Sequence, residues 1–171
     1  MSSAEVDSFR FTGRTIKQFI LKAIDDMTPK SDTPWSKVSK PLSESRVALL
    51  TTAGISMRGD TPFDMAGERA NPTWGDPSWR RIDADAAAED VAVNHLHIDT
   101  SYIERDLNVA LPLARLSELA ADGVVGSSAP GHYSIMGFQG NDASTLENTA
   151  GPEIARAMKS DAVDLVVLAP V

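Results

Sequence analysis

Two short apolar runs, "RVALLTTAGI" (46–55) and "DLVVLAPV" (164–171), constrain the fold of this chain more than any other feature. Each is β-rich, and the first closes on Gly54, as a buried strand entering a loop would. "VAVNHLHI" (91–98) reads as a third strand. Helical periodicity marks 15–27, where Ile16, Phe19, Ile20, Ala23, Ile24 and Met27 share one face and Thr15 is positioned as an N-cap. It recurs at 112–123, between Pro112 and Gly123, and at about 152–159, with a possible earlier turn from Ser144. Strands alternating with helices predict an α/β fold with a mainly parallel sheet flanked by helices. The expected division is an N-terminal helix and connector over 1–43 and an α/β domain over 44–171. Residues 56–81 read as a long loop, ordered by Trp74 and Trp79 and able to cover a site. Residues 124–140 read as an apolar pair followed by a glycine-containing loop.

Composition narrows the function classes. A formal charge of -8 over 171 residues, with scattered Lys and Arg, argues against a nucleic-acid partner. No apolar run approaches the roughly 20 residues of a membrane helix. The polar start "MSSAEVDSFRF" lacks the pattern of a signal peptide, so a cytoplasmic location is the default expectation. With no Cys, the chain has no thiolate ligand, disulfide or cysteine nucleophile. G-x-G-x-x-G and G-x-x-x-x-G-K-[ST] are absent, so nucleotide binding is unsupported.

The most pointed chemistry lies in "NHLHIDTSY" (94–102). On a strand, His95, His97 and Asp99 would alternate onto one face, as metal ligands, as acid–base groups or as a polar cluster that fixes the strand end. Tyr102 follows them. His132 and Tyr133 sit in "SAPGHYSIMG", at another strand–loop junction where open α/β sheets place ligands. Thr52, in "TTAGI", can offer a hydroxyl to an anion or serve a plain strand exit. Trp74, Trp79 and Tyr102 could form an aromatic cage or simply pack. Asp106 and Asn108 read as braces for the helix near Pro112.

Taken in order, "VALLTTAGI", "SWRRI", "HLHIDTSY", "RDLNVALPLARLSELAADGVVG", "APGHYSIMGF" and "EIARAMKSDAVDLVVLAPV" resemble the selenoprotein B group of the glycine/sarcosine/betaine/D-proline reductases, over about residues 44–171. The resemblance implies reductive cleavage of a carbon–nitrogen bond in a small amine. It also implies a thiol or dithiol electron donor or reductase partner subunits. The nucleophile of such proteins is a selenocysteine or cysteine in a Sec/Cys-x-x-Cys motif immediately after the strand that here reads "DLVVLAPV".

That motif would follow Val171 directly. The expectation is therefore a domain incomplete at its C-terminus, its apolar sheet surface patched by homo-oligomer formation. Selenocysteine belongs to the full-length product, as when a UGA codon is read as stop, and no cofactor is expected within these residues. Thr52, His95, His97, Asp99, Tyr102, His132 and Tyr133 are the candidate pocket residues. Two other readings stand beside this one: a metal-dependent hydrolase or lyase built on His95, His97 and Asp99, and a non-catalytic small-molecule-binding domain.

Overall fold

The computed structural model describes residues 9–10, 12–27, 36–140 and 142–171. Two compact units divide at Lys37 and Val38. The first contains helix α1 (Arg14–Met27), which begins one residue before the predicted start, so Thr15 lies inside its first turn. Ile16, Phe19 and Ile24 of its apolar face are exposed. Part of the proline- and serine-rich connector lies outside the described residues.

The second unit is built around β1 (Arg46–Thr51), the central strand of a mixed, mostly parallel sheet. On one side β1 pairs parallel with β7 (Leu165–Ala169) along its whole length. On the other it pairs parallel first with the short β5 (Ser127–Ser128) and then with β6 (Gly131–Ile135). An antiparallel edge strand, β3 (Trp79–Asp83), completes the sheet against β6. β2 (Ile55–Met57) and β4 (Val91–Val93) form a separate antiparallel ribbon.

Alternation along β1 explains the layering, because successive side chains of a strand face opposite ways. Val47 and Leu49 enter a core with Ile55, Ile82 and Val91, beneath α3 (Ser101–Arg105) and α4 (Leu113–Ala121), which contribute Ile103 and Leu116. Ala48 and Leu50 enter a second core with Tyr133 and Ile154 of α5 (Gly151–Ser160). A wide turn over Leu146–Ala150 leads directly into α5. Asp106 and Asn108 brace α4: Asp106 accepts the Asn108 N–H at 3.0 Å, and Asn108 Oδ1 accepts the Ala114 N–H at 3.0 Å.

Four segments differ from the sequence-based expectation. The run 46–55 is broken into two strands, because Gly54 turns the chain in the left-handed region at φ +63°. Residues 56–81 are not structureless: they hold β2, the start of β3 and a short helix, α2 (Met65–Ala70), capped by the Asp64 side chain on the Gly67 N–H. The strand expected over 91–98 stops at Val93. There the Asn94 amide turns away to the Gly54 carbonyl and the Ser56 hydroxyl, ending the ladder. A fourth segment, 124–140, supplies two strands rather than a loop.

Candidate active site

β1, β6 and β7 run parallel, so their C-terminal ends meet on one side of the sheet, where open α/β folds bind ligands. The Thr52 hydroxyl ties two of these ends together, accepting the Val171 N–H at 2.9 Å and lying 3.3 Å from the Val171 carbonyl oxygen. The Thr52 carbonyl accepts the Gly137 N–H at 3.1 Å, which brings in the end of β6. Two further loops close on this junction. Segment 94–97 is drawn in by the Asn94 N–H on the Gly54 carbonyl at 2.8 Å. Segment 72–78 lies backbone to backbone against 137–140. A Cβ on Gly75 would overlap the Phe138 carbonyl, and one on Gly140 would overlap that of Thr73.

The result is an open cleft of about 500 Å³ lined by Pro72, His95, His97, Gly137, Phe138 and Val171. Asp76 holds its outer wall, accepting the Asp64 N–H at 2.8 Å and both the N–H and hydroxyl of Ser78. Burial pushes the Asp76 carboxyl up, but these bonds and the nearby Arg80 win and hold it below the usual carboxylate range.

Within the cleft, His95 Nδ1 accepts the backbone N–H of His97 at 3.1 Å, and the two rings meet edge to face with centroids 6.0 Å apart. Burial lowers the His95 pKa; Glu68 opposes that shift and His97 adds to it. His97 is exposed on the cleft side, and its Nε2 lies 3.4 Å from Oε1 of Glu68. Glu68 itself is buried in α2, and that oxygen makes no hydrogen bond. The arrangement offers two imidazoles backed by a carboxylate beside the aromatic ring of Phe138, suited to hydrogen bonding and proton exchange with a small polar ligand.

The structure separates the remaining sequence candidates. Thr52 does not line the cleft but braces Val171 and Gly137, which do. Asp99 is exposed and accepts the Ser101 N–H at 3.0 Å, and the bonds to Ser101 hold its carboxyl low. Among the described residues no group of three or more His, Asp or Glu side chains could hold a metal ion, so His95, His97 and Asp99 are not gathered as the alternative metal reading requires. Tyr102 is exposed with the Arg105 guanidinium 4.8 Å above its ring. His132 is fully buried inside the sheet, where Nδ1 accepts the Leu49 N–H at 3.0 Å and Nε2 lies 3.2 Å from the Ser128 hydroxyl. Burial, with Arg81 adding to it, lowers its pKa to about 4. Tyr133 is equally buried, its ring 5.8 Å from that of Trp79. Burial, and then the charge of Asp161, raise its pKa. Trp79 is further tied by its indole N–H to Glu153 at 2.9 Å, so the three aromatic residues do not gather into a cage.

Glu68, Pro72 and Phe138 escaped sequence reasoning. Glu68 and Pro72 lie in a stretch without periodicity, and Phe138 lies in a glycine-bracketed turn. Only the Asp64 cap, three residues before Gly67, hinted that this stretch held a helix.

Comparison with known proteins bears on this cleft. The family model for glycine/sarcosine/betaine reductase selenoprotein B matches residues 20–171. The D-proline reductase subunit gamma of Acetoanaerobium sticklandii is 37% identical over 134 residues, covering 78% of this chain and 52% of that protein. The glycine reductase complex component B subunit gamma of Carboxydothermus hydrogenoformans is 27% identical over 137 residues, covering 79% of this chain and 30% of that protein. The chain thus spans about half the length of the first relative and about a third of the second. No solved structure matches. The family match covers the entire cleft, from Pro72 through His95, His97 and Phe138 to Val171, and on that ground the chain belongs to the glycine/sarcosine/betaine reductase selenoprotein B family.

Proposed function

We propose that this chain forms the substrate pocket of a reductase component that cleaves a carbon–nitrogen bond of a small amine, of the glycine, sarcosine, betaine or D-proline class. The observation that carries this reading is the position of Val171. β7 delivers its C-terminal end into the same cleft as His95 and His97, held there by Thr52. In the resembling reductases a Sec/Cys-x-x-Cys motif follows this strand. A selenolate or thiolate placed there in the full-length product would face a ligand held by the two imidazoles. Partner subunits supplying electrons fit the relatives' names, which are those of reductase subunits. Among the described residues no helix is long and apolar enough to cross a membrane.

Ligand binding tests the pocket independently of turnover. A ligand at a hundredfold excess over its Kd stabilises the native state by about 2.7 kcal/mol, a Tm rise of several degrees for a domain this size. Proline, glycine, sarcosine and betaine are to be compared on the wild-type chain and on His97→Ala. At least one should raise Tm in the wild type and lose that effect in the variant. A flat response to all of them would overturn the small-amine reading.

A further inference from the structure

The two cleft imidazoles are fixed in opposite hydrogen-bonding roles. Glu68 is 3% exposed, its Oε1 is without a hydrogen bond, and His97 Nε2 faces it at 3.4 Å. A buried carboxylate oxygen is costly to leave unpaired, and a carboxylate can only accept. The ring proton of neutral His97 therefore belongs on Nε2, which leaves Nδ1 as a lone-pair acceptor. His95 shares that tautomer but has the other nitrogen free. Its Nδ1 is occupied by the His97 backbone N–H, so its proton sits on Nε2 and that N–H is the group it has to offer. Burial keeps His95 neutral, and hence a single-proton donor, near neutral pH. Neither Nδ1 of His97 nor Nε2 of His95 is a buried orphan, and both residues line the cleft with ring centroids 6.0 Å apart.

We propose that this pair selects a zwitterionic amino acid whose ammonium still carries an N–H. His97 Nδ1 accepts that N–H, His95 Nε2–H donates to the carboxylate, and Glu68 is the positioning residue that sets the His97 tautomer. A quaternary ammonium has no N–H to give and leaves His97 Nδ1 unpaired against a cationic methyl group. The inference rests on the small-amine reading and narrows it.

Two measurements on the 171-residue chain test it. Nitrogen-15 NMR at about pH 8 reads the tautomer of each ring directly. Both histidines should be protonated on Nε2 in the wild type, and Glu68→Gln, whose amide can donate to Nε2 as well as accept from it, should lose the exclusive Nε2–H form at His97. An imidazolium or an Nδ1–H ring at His97 in the wild type overturns the proposal. The second measurement is calorimetric binding of proline, N-methylproline and N,N-dimethylproline, which carry two, one and no N–H on the ammonium. Affinity should fall roughly 10- to 100-fold at the last step, the loss of a hydrogen bond to a charged group. Glu68→Gln, which no longer holds one tautomer, should shrink that step, while His97→Asn, whose Oδ1 can stand in for Nδ1, should keep part of it. If Glu68→Gln fails to fold, the wild-type tautomer and the wild-type amine series decide. Equal binding of all three amines overturns the selection and leaves the small-amine reading standing. No binding of these, glycine or sarcosine overturns both.

Discussion

His132 makes stability depend on pH in a window that few other groups share. In the folded chain its titration midpoint drops from 6.5 to about 4, because the ring is buried in the sheet and lies near Arg81. The neutral ring accepts the Leu49 N–H on Nδ1 and has its proton on Nε2, toward the Ser128 hydroxyl. Protonation would set an Nδ1–H against the Leu49 N–H, two donors facing each other between β1 and β6. The unfolded chain takes up this proton as pH falls below about 6.5, whereas the folded chain resists until about 4. The stabilisation is therefore fully present above the unfolded value and lost as pH falls toward the folded one. At 1.36 kcal/mol per pH unit the whole window is worth about 3 kcal/mol.

Urea unfolding followed by tryptophan fluorescence, at steps from about pH 7.5 to about pH 4.5, measures the slope. His132→Asn keeps an acceptor for Leu49 but does not titrate. It should cost about 2 kcal/mol at neutral pH, through lost packing and the lost Ser128 contact, and should flatten the slope. His95 is lowered in the same direction, so the comparison is made in a His95→Asn background. Asp76, Asp99, Asp106, Asp142 and Asp164 are all lowered from 3.8, so their contributions are lost below this window. An unchanged slope in His132→Asn refutes the assignment.

Other consequences are more local. Gly54→Ala would drive a Cβ into Met136 Sδ and the Asn94 carbonyl oxygen, in a left-handed backbone. A loss of about 3 kcal/mol or more is expected in urea unfolding, and a loss below 1 kcal/mol would contradict it. Asp76→Asn removes a carboxylate that accepts from Asp64 and Ser78, and should cost about 2 kcal/mol and loosen 64–78. Amide exchange of that segment is the readout, and unchanged protection would count against Asp76 as its anchor. Edge strand β7 leaves Val166, Val167 and Leu168 exposed, with Leu168 at 65%. Such an edge is expected to promote self-association, which Leu168→Lys should weaken in sedimentation velocity; a wild-type chain that stays monomeric at every concentration would rule this out.

The strands that announced themselves in the sequence were those of apolar composition, whether buried as β1 is or exposed as β7 is. β1 and β7 are runs of Val, Leu and Ala, and both were readable. β6 is as buried as β1, yet it reads GHYSI, because its polar groups are paired internally: His132 with Leu49, and the Ser134 hydroxyl accepting the Ile55 N–H at 2.8 Å. A strand that satisfies buried polar groups carries no hydrophobic signature, so it passed for a loop. β3 hid for a different reason. It is an edge strand whose two arginines find partners far away in sequence, Arg81 on Asp161 at 2.8 Å and Arg80 over the Phe63 ring at 4.4 Å.

The candidate site divides along the same line. His95 and His97 were legible because imidazoles stand out in any stretch, but their supposed companion Asp99 was grouped with them by strand alternation. The strand had already ended, since Asn94 spends its amide on Gly54 and Ser56. The acid that does face His97 comes from α2, a helix of six residues that exists only because Asp64 caps it and Asp76 pins its entry. Glu68 therefore reaches His97 through contacts made by other residues, none of which resembles an active-site motif. The cleft's chemistry depends on the folding of segment 56–81. A lesion at Asp64 or Asp76, remote from the ligand in sequence, should disturb the His97 tautomer as Glu68→Gln does, and also reduce stability, which sets the two classes of variant apart.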